Sequence, residues 1–313
     1  MSERSQASFM GTNELAHGRE KVMGHLAMVL FAALIAGSFS VGSLALPHIG
    51  SSALNTARML IAVVVMGAVV FALYRRLPKP ESAPWRFGLL GALMAGYFLA
   101  MFLALTMIDP VSGGAVFTLI PLMSAGFGYL FLRQTVPPVV IVSLIFAGLG
   151  SVWVIFRGDL QVLLAFDIGL GEMIFLAGCV CHAAYVPLVK KFNRGEPVTQ
   201  TTFWTTIGTF AVVTLAGIGT GEIAETRWLS LPVVVWVAVV YLGAVTSAGT
   251  FFLVQYASMR LPASKVLSYG YMIPVYVILY EGALGHGWVT VSVLAGAVLT
   301  VMGLLVMALA PDL

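Results

Sequence analysis

Charge is scarce in this sequence: Lys, Arg, Asp and Glu make up 9% of its 313 residues, while 60% are hydrophobic. Soluble domains carry about a quarter charged and about 45–50% apolar residues, so a soluble globule is excluded. Cysteine is nearly absent. Cys179 and Cys181 lie two apart in one apolar segment and face different sides of a helix, so neither a disulfide nor a zinc framework is expected. Catalytic patterns are missing too: there is no His-Glu-x-x-His, no Gly-x-Ser-x-Gly, no pair of central carboxylates and no ATP-binding motif. The net charge of +3 is spread over short connections, which argues against a nucleic-acid partner. No cofactor or metal is called for.

What fills the chain is a series of apolar stretches, each near the roughly 20 residues that cross a hydrocarbon core. Cutting at polar clusters and Pro/Gly turns predicts spans at 24–46, 58–74, 87–108, 112–132 and 136–156, then at 170–189, 201–220, 232–257, 263–284 and 289–310. The first is too long for a signal-peptide core and reads as a retained helix. The fold class expected is therefore an all-α membrane protein of ten transmembrane helices. Short-loop cations sort by side under this cut: thirteen of the 16 fall on the side of the N-terminus and only Arg58, Arg157 and Arg227 on the other. By the positive-inside rule both termini are expected in the cytoplasm, in a multi-pass protein of a bacterial-type inner membrane.

The two halves look related. Gly91, Met107, Pro110 and Ser112 fall on Gly243, Met259, Pro262 and Ser264 at a constant offset; after one inserted residue, Pro121 and Gly150 fall on Pro274 and Gly303. Five spans per half is an odd number, so the second copy enters from the opposite side, giving two inverted five-helix repeats. Such repeats are a common secondary-transporter architecture with the substrate near the midplane. The expected division is a tail at 1–23, a first repeat at 24–156, a connection at 157–169 and a second repeat at 170–310.

Candidate site residues are polar or aromatic groups deep in the spans. His182 lies near the middle of the sixth, where an ionisable group is costly and faces a cavity or a neighbouring carbonyl. Ser38, Tyr97, Tyr185, Thr246 and Ser247 are midspan polar groups, as is Thr250. Among the tyrosines crowding the ninth span, Tyr271 and Tyr276 are nearest the middle. Pro121 and Pro274 are expected midspan, freeing the carbonyls of Phe117 and Gly270 and forming a paired gate. Glu281 is read as interfacial. The fifth and tenth spans, with Gly148, Gly150, Gly296 and Gly303, read as packing helices.

The order of elements resembles the EamA-type branch of the drug/metabolite transporter superfamily. Gly37-Ser38-Phe39, Arg58 opening the second span, and Asp109-Pro110 followed by Pro121 carry the likeness in the first half. In the second half it is carried by Ala183-Ala184-Tyr185 and by Pro262 followed by Pro274. The likeness spans about 24–310. Departures from the family pattern are Ala36, where a Trp is usual, and Gln134 and Gly287, where a Glu often closes the fourth and ninth helices. The resemblance implies ten helices in two inverted repeats and export of amino acids or similar metabolites. A nearly charge-free cavity with hydroxyls, tyrosines and one histidine suits a zwitterionic or neutral small molecule, with protons as a possible coupling ion; broad efflux of amphipathic drugs is the alternative.

Overall fold

The computed structural model describes residues 18–77, 79–80, 83–108, 113, 116–166, 168–276, 279 and 290–310. Asp109, Pro110, Ser112, Tyr280, Glu281 and Gly287 lie outside them, as does the tail to 17. All regular elements among the described residues are helical. In chain order the main ones are α1 (Arg19–Ala45), α2 (Ser51–Tyr74), α3 (Trp85–Ala104), α4 (Ile120–Leu132) and α5 (Pro138–Ile155), followed by α6 (Leu170–Phe192), α7 (Val198–Gly219), α8 (Val233–Ser258), α9 (Ala263–Ser268) and α10 (Val291–Leu309). Eight of them are long and apolar enough to cross a membrane; α4, at 13 residues, and α9 are shorter.

Their starts follow local chemistry. Pro84, Pro137, Pro197, Pro232 and Pro262 each stand directly before a helix, where the missing N–H breaks no bond. α2 begins seven residues earlier than the sequence pattern indicates. Its first N–H groups are orphans, and the Glu222 carboxylate, from the other half, accepts from Ser52 N–H (2.7 Å) and Ala53 N–H (3.2 Å). The polar run Ser51–Asn55 is thus helix, and Arg58 sits inside the span instead of at its start.

Three further elements depart from simple spans. The fourth span is broken before Pro121: residues 116–117 are helical, a turn follows at 118–119, and Pro121 is the second residue of α4. The ninth span is broken, since α9 passes into a 3-10 turn at Tyr269–Met272, just before Pro274. α8 contains a π-helical stretch, Tyr241–Gly249, between two α-helical ends. A short helix at Leu160–Leu164, capped by Asp159, occupies the connection between the halves.

Packing is reciprocal between the halves. α3 lies on α6 and α7, and its counterpart α8 lies on α1 and α2; α4 lies on α6, and α9 on α1 and α4; α2 pairs with α7, and α5 with α10. Matched glycines close these crossings. A methyl on Gly91 would strike the α7 backbone at Gly208, and one on Gly243 would lie 2.6 Å from the Arg58 carbonyl oxygen in α2. Gly150 and Gly303 likewise set α5 and α10 backbone to backbone.

Ion pairs gather at the end of the bundle where α1 starts. Arg260 Nε meets Glu20 at 2.7 Å, and Lys265 Nζ donates to the Ala310 carbonyl at the end of α10. Arg86, in the first turn of α3, bonds the Phe192 carbonyl and Glu196 (2.5 Å). Burial works against the Glu196 carboxylate, but its bonds from Arg86 and the Arg194 N–H hold its pKa below the ordinary value. This tie therefore persists through neutral pH and weakens only as pH falls below the usual carboxylate range.

The glycine crossings give a stability prediction. Gly91→Val and Gly243→Val should each cost about 1–3 kcal/mol through overpacking, read as a lower melting temperature in detergent. Gly126→Val at an exposed position of α4 is the control, because a Cβ added there meets nothing within 4 Å, and it should melt like the parent protein.

Candidate functional site

The crossings of α1, α3, α6 and α8 leave a small cavity at the centre of the bundle. Its walls are Phe31 and Ile35 from α1, Met94, Tyr97 and Phe98 from α3, Phe117 just before α4, His182 and Tyr185 from α6, and Thr250, Phe251 and Val254 from α8. Its volume is about 20 Å³, room for roughly one water. A solute larger than water needs the surrounding helices to part.

Five of the sequence candidates meet here: Tyr97, Phe117, His182, Tyr185 and Thr250. His182 is 4% exposed, and its ring packs against Tyr97 (centroids 4.5 Å apart) and Phe117 (6.3 Å). Its Nδ1 is buried without a hydrogen-bond partner among the described residues. Tyr185 accepts a bond at its hydroxyl from Gln255 Nε2 at 2.9 Å, while Gln255 Oε1 is left without a partner. Gln255 was invisible in the sequence because one amide in an apolar run carries no pattern.

The other candidates are placed elsewhere. Ser38 donates to the Ile35 carbonyl in its own helix, Thr246 to Leu242, and Ser247 also to Leu242, so all three protons are spent on backbone. Tyr271 is buried against α5, where its hydroxyl would lie 3.2 Å from a methyl on Gly148. Tyr276 packs at the edge of the core and does not line the cavity. Thr250, which does line it, donates to the Thr246 carbonyl at 2.5 Å.

Phe117 and Gly270 do come together. Each lies four residues before its half's proline, and Gly270 has no room for a side chain because Phe117 Cε1 would lie 2.7 Å from it. A turn at 118–119 precedes Pro121 and the 3-10 turn precedes Pro274, so the chain breaks α-helix at matched places and the two breaks touch. Pro187 adds a third irregularity, inside α6 and one turn beyond His182 and Ala183.

One wall residue covers a charge. Arg58 is 2% exposed, with its guanidinium carbon 4.2 Å from the Phe98 ring and 5.2 Å from Phe102. Its Nε and Nη2 donate to Ser247 Oγ at 3.1 and 2.9 Å.

The chain matches the model of the EamA-like transporter family twice, over residues 22–156 and 169–309. It belongs to that family. As an EamA-like protein it is a multi-pass membrane protein of a transporter family, which implies a lipid bilayer around it and a small-molecule substrate. The uncharacterized transporter YyaM of Bacillus subtilis (strain 168) is 24% identical over 256 residues, covering 72% of this chain and 83% of the relative. A crystal structure of a protein with 19% sequence identity superposes with a TM-score of 0.73 over 93% of this chain and 96% of the other, a likeness of fold alone.

The hydrogen-bond pattern separates two variants. Among the described residues His182→Phe removes no hydrogen bond, so it should change stability by less than about 1 kcal/mol, whereas Tyr185→Phe strands the Gln255 amide and should cost about 1–3 kcal/mol. Thermal melts of the purified protein read both. Equal losses would mean that His182 has a structural partner.

Proposed function

We propose that this EamA-like protein is a secondary transporter that exports amino acids or similar small, net-neutral metabolites across the inner membrane by alternating access. In this reading it has ten spans in two inverted repeats, with both termini cytoplasmic. The observation that carries it is the central cavity, whose walls come from the first and third helices of both repeats. A wall built from equivalent helices opens to one side when one pair tilts and to the other when its counterpart does. The touching breaks before Pro121 and Pro274 are the natural hinges, since a turn outside the α-helical ladder yields more easily than a continuous helix.

Within this reading the substrate site is Tyr97, Phe117, His182 and Tyr185, with Thr250 and the cavity's apolar rings around them. No carboxylate lines the described cavity, which favours a net-neutral solute over a multivalent cation. His182 is the group through which protons would couple to transport. The apolar share of the wall, with Phe31, Phe98, Phe117 and Phe251, supports efflux of amphipathic drugs as the second reading. The gathering of Arg260, Lys265 and Arg86 at the end where α1 starts supports that end as the cytoplasmic one.

Reconstituted vesicles test both readings. Counterflow of labelled neutral amino acids, with and without a pH gradient, should exceed that of protein-free vesicles for at least one of them, and His182→Gln should flatten any pH dependence. Flux of ethidium with none for any amino acid would replace the leading reading by the second. Reporter fusions after Arg76 and Lys191 should report cytoplasm, and fusions near Ser51 and Ala224 the opposite side; a reversal would overturn the orientation.

A further inference from the structure

We propose that Arg58 is the anchor for the carboxylate of the transported solute, screened from the closed cavity by the Phe98 ring. The inference rests on the transporter reading above and adds the chemical class of the substrate: a small molecule bearing a carboxylate, zwitterions included.

The argument begins with position. Arg58 is seven residues into α2, about 10 Å along its axis, on a helix that crosses the bundle and not at its end. A guanidinium at such depth is expensive and normally pairs with an acid or faces water. Among the described residues no carboxylate lies within ion-pair distance of it; the ion pairs there are Arg86–Glu196 and Arg260–Glu20. Its five N–H donors are served by one hydroxyl, that of Ser247, and Nη1 makes no hydrogen bond among the described residues. Beside the guanidinium lie the faces of Phe98 and Phe102, with Tyr97 near enough to interact with it electrostatically. Ring faces offset part of the loss of water, but they leave the planar fork unfilled, and that fork matches a carboxylate.

The shell is also built to hold the guanidinium still. Ser247 donates to the Leu242 carbonyl at 2.6 Å, five residues back, so its oxygen is turned to Arg58 as an acceptor. That five-residue reach belongs to the π-helical stretch Tyr241–Gly249, whose wider turn carries Ser247 against α2. π-Helical turns are rare and concentrate at functional sites; here the turn's visible product is the fixed Arg58–Ser247 pair. One turn before Arg58, Asn55 donates to the Ser51 and Phe98 carbonyls and keeps a buried Oδ1 with no partner. The same face of α2 therefore holds a spare donor fork and a spare acceptor, the complements of a carboxylate and an ammonium.

Access runs through Phe98. Its ring lines the cavity, stacks on Phe251 (5.8 Å, 8° between planes) and covers Arg58. One aromatic ring therefore stands between the guanidinium and the cavity. Parting α3 from α8 separates Phe98 from Phe251 and frees that ring to turn, which joins the anchor to the space beside His182 and Tyr185.

The test compares acids with their amides. Proteoliposomes are assayed with labelled leucine against leucinamide, threonine against threoninamide and phenylalanine against phenylalaninamide. The wild-type protein should move the acid of at least one pair at least tenfold faster than its amide. In Arg58→Gln the KM for that acid should rise tenfold or more with kcat within about threefold, and the amide should be unaffected; Phe98→Leu should keep the preference for the acid. Equal wild-type flux of acid and amide overturns the anchor without any variant and leaves the transporter reading standing. So does an Arg58→Gln protein that is folded and keeps the acid's KM. If Arg58→Gln fails to fold, the wild-type comparison and the kinetics of Ser247→Ala decide: that variant should raise the acid's KM and not the amide's, and an unchanged KM overturns the proposal. Vesicles that move neither acids, amides nor ethidium would contradict the transporter reading itself.

Discussion

A polar side chain inside a hydrocarbon layer must bond to protein or face a cavity, and this constraint organises the whole bundle. Most deep hydroxyls meet it locally, as Ser38, Thr202, Thr206, Thr209 and Ser258 do by donating to a carbonyl three or four residues back. Some polar atoms are left over. Among the described residues, Ser151, Thr205 and Thr214 keep unbonded hydroxyls in α5 and α7, but His182 Nδ1, Gln255 Oε1, Asn55 Oδ1 and the unbonded Nη1 of Arg58 collect on the cavity wall or directly behind it. Unmet polarity around an otherwise apolar space is what a protein needs if a polar solute is to complete its bonds in transit.

The same constraint explains why the halves lock as they do. Backbones approach closely where glycines allow it, so α3 on α7 and α8 on α2 form rigid crossings, with α5 and α10 joined to each other at the edge. The elements left irregular, the turn before Pro121, the 3-10 turn before Pro274 and the π-helical stretch of α8, all lie close to the cavity. The π-helical stretch itself carries the Gly243 crossing, so the soft elements are the two turns, and a cavity of about 20 Å³ grows through them.

Much of this was legible in the sequence. Apolar length and Pro/Gly punctuation located the long helices, and the matched Gly91/Gly243 and Gly150/Gly303 turned out to be the points where the halves touch. Tyr97, His182 and Tyr185 stand out as polar groups at depth, Phe117 as the residue whose carbonyl Pro121 frees, and the four share one cavity. The misses have physical causes. Arg58 reads as the first residue of its span because Ser51, Ser52 and Asn55 look like a connection, and only the Glu222 carboxylate from the other half makes them a helix start. Phe98 and Phe251 look like any ring in an apolar run. Tyr271 was a fair candidate by depth, but depth does not say which way a side chain turns, and it turns toward Gly148. The π-helical stretch has no sequence signature short of the structure itself.

The central claim is that this cavity opens by turns to the two sides of the membrane. Thr250 lies on its wall, so a Thr250→Cys protein with Cys179 and Cys181 replaced by Ala, placed in vesicles of either orientation, reports access directly. A membrane-impermeant thiol reagent should modify the introduced cysteine from both sides. Modification from one side only, or from neither, would contradict alternating access at this site.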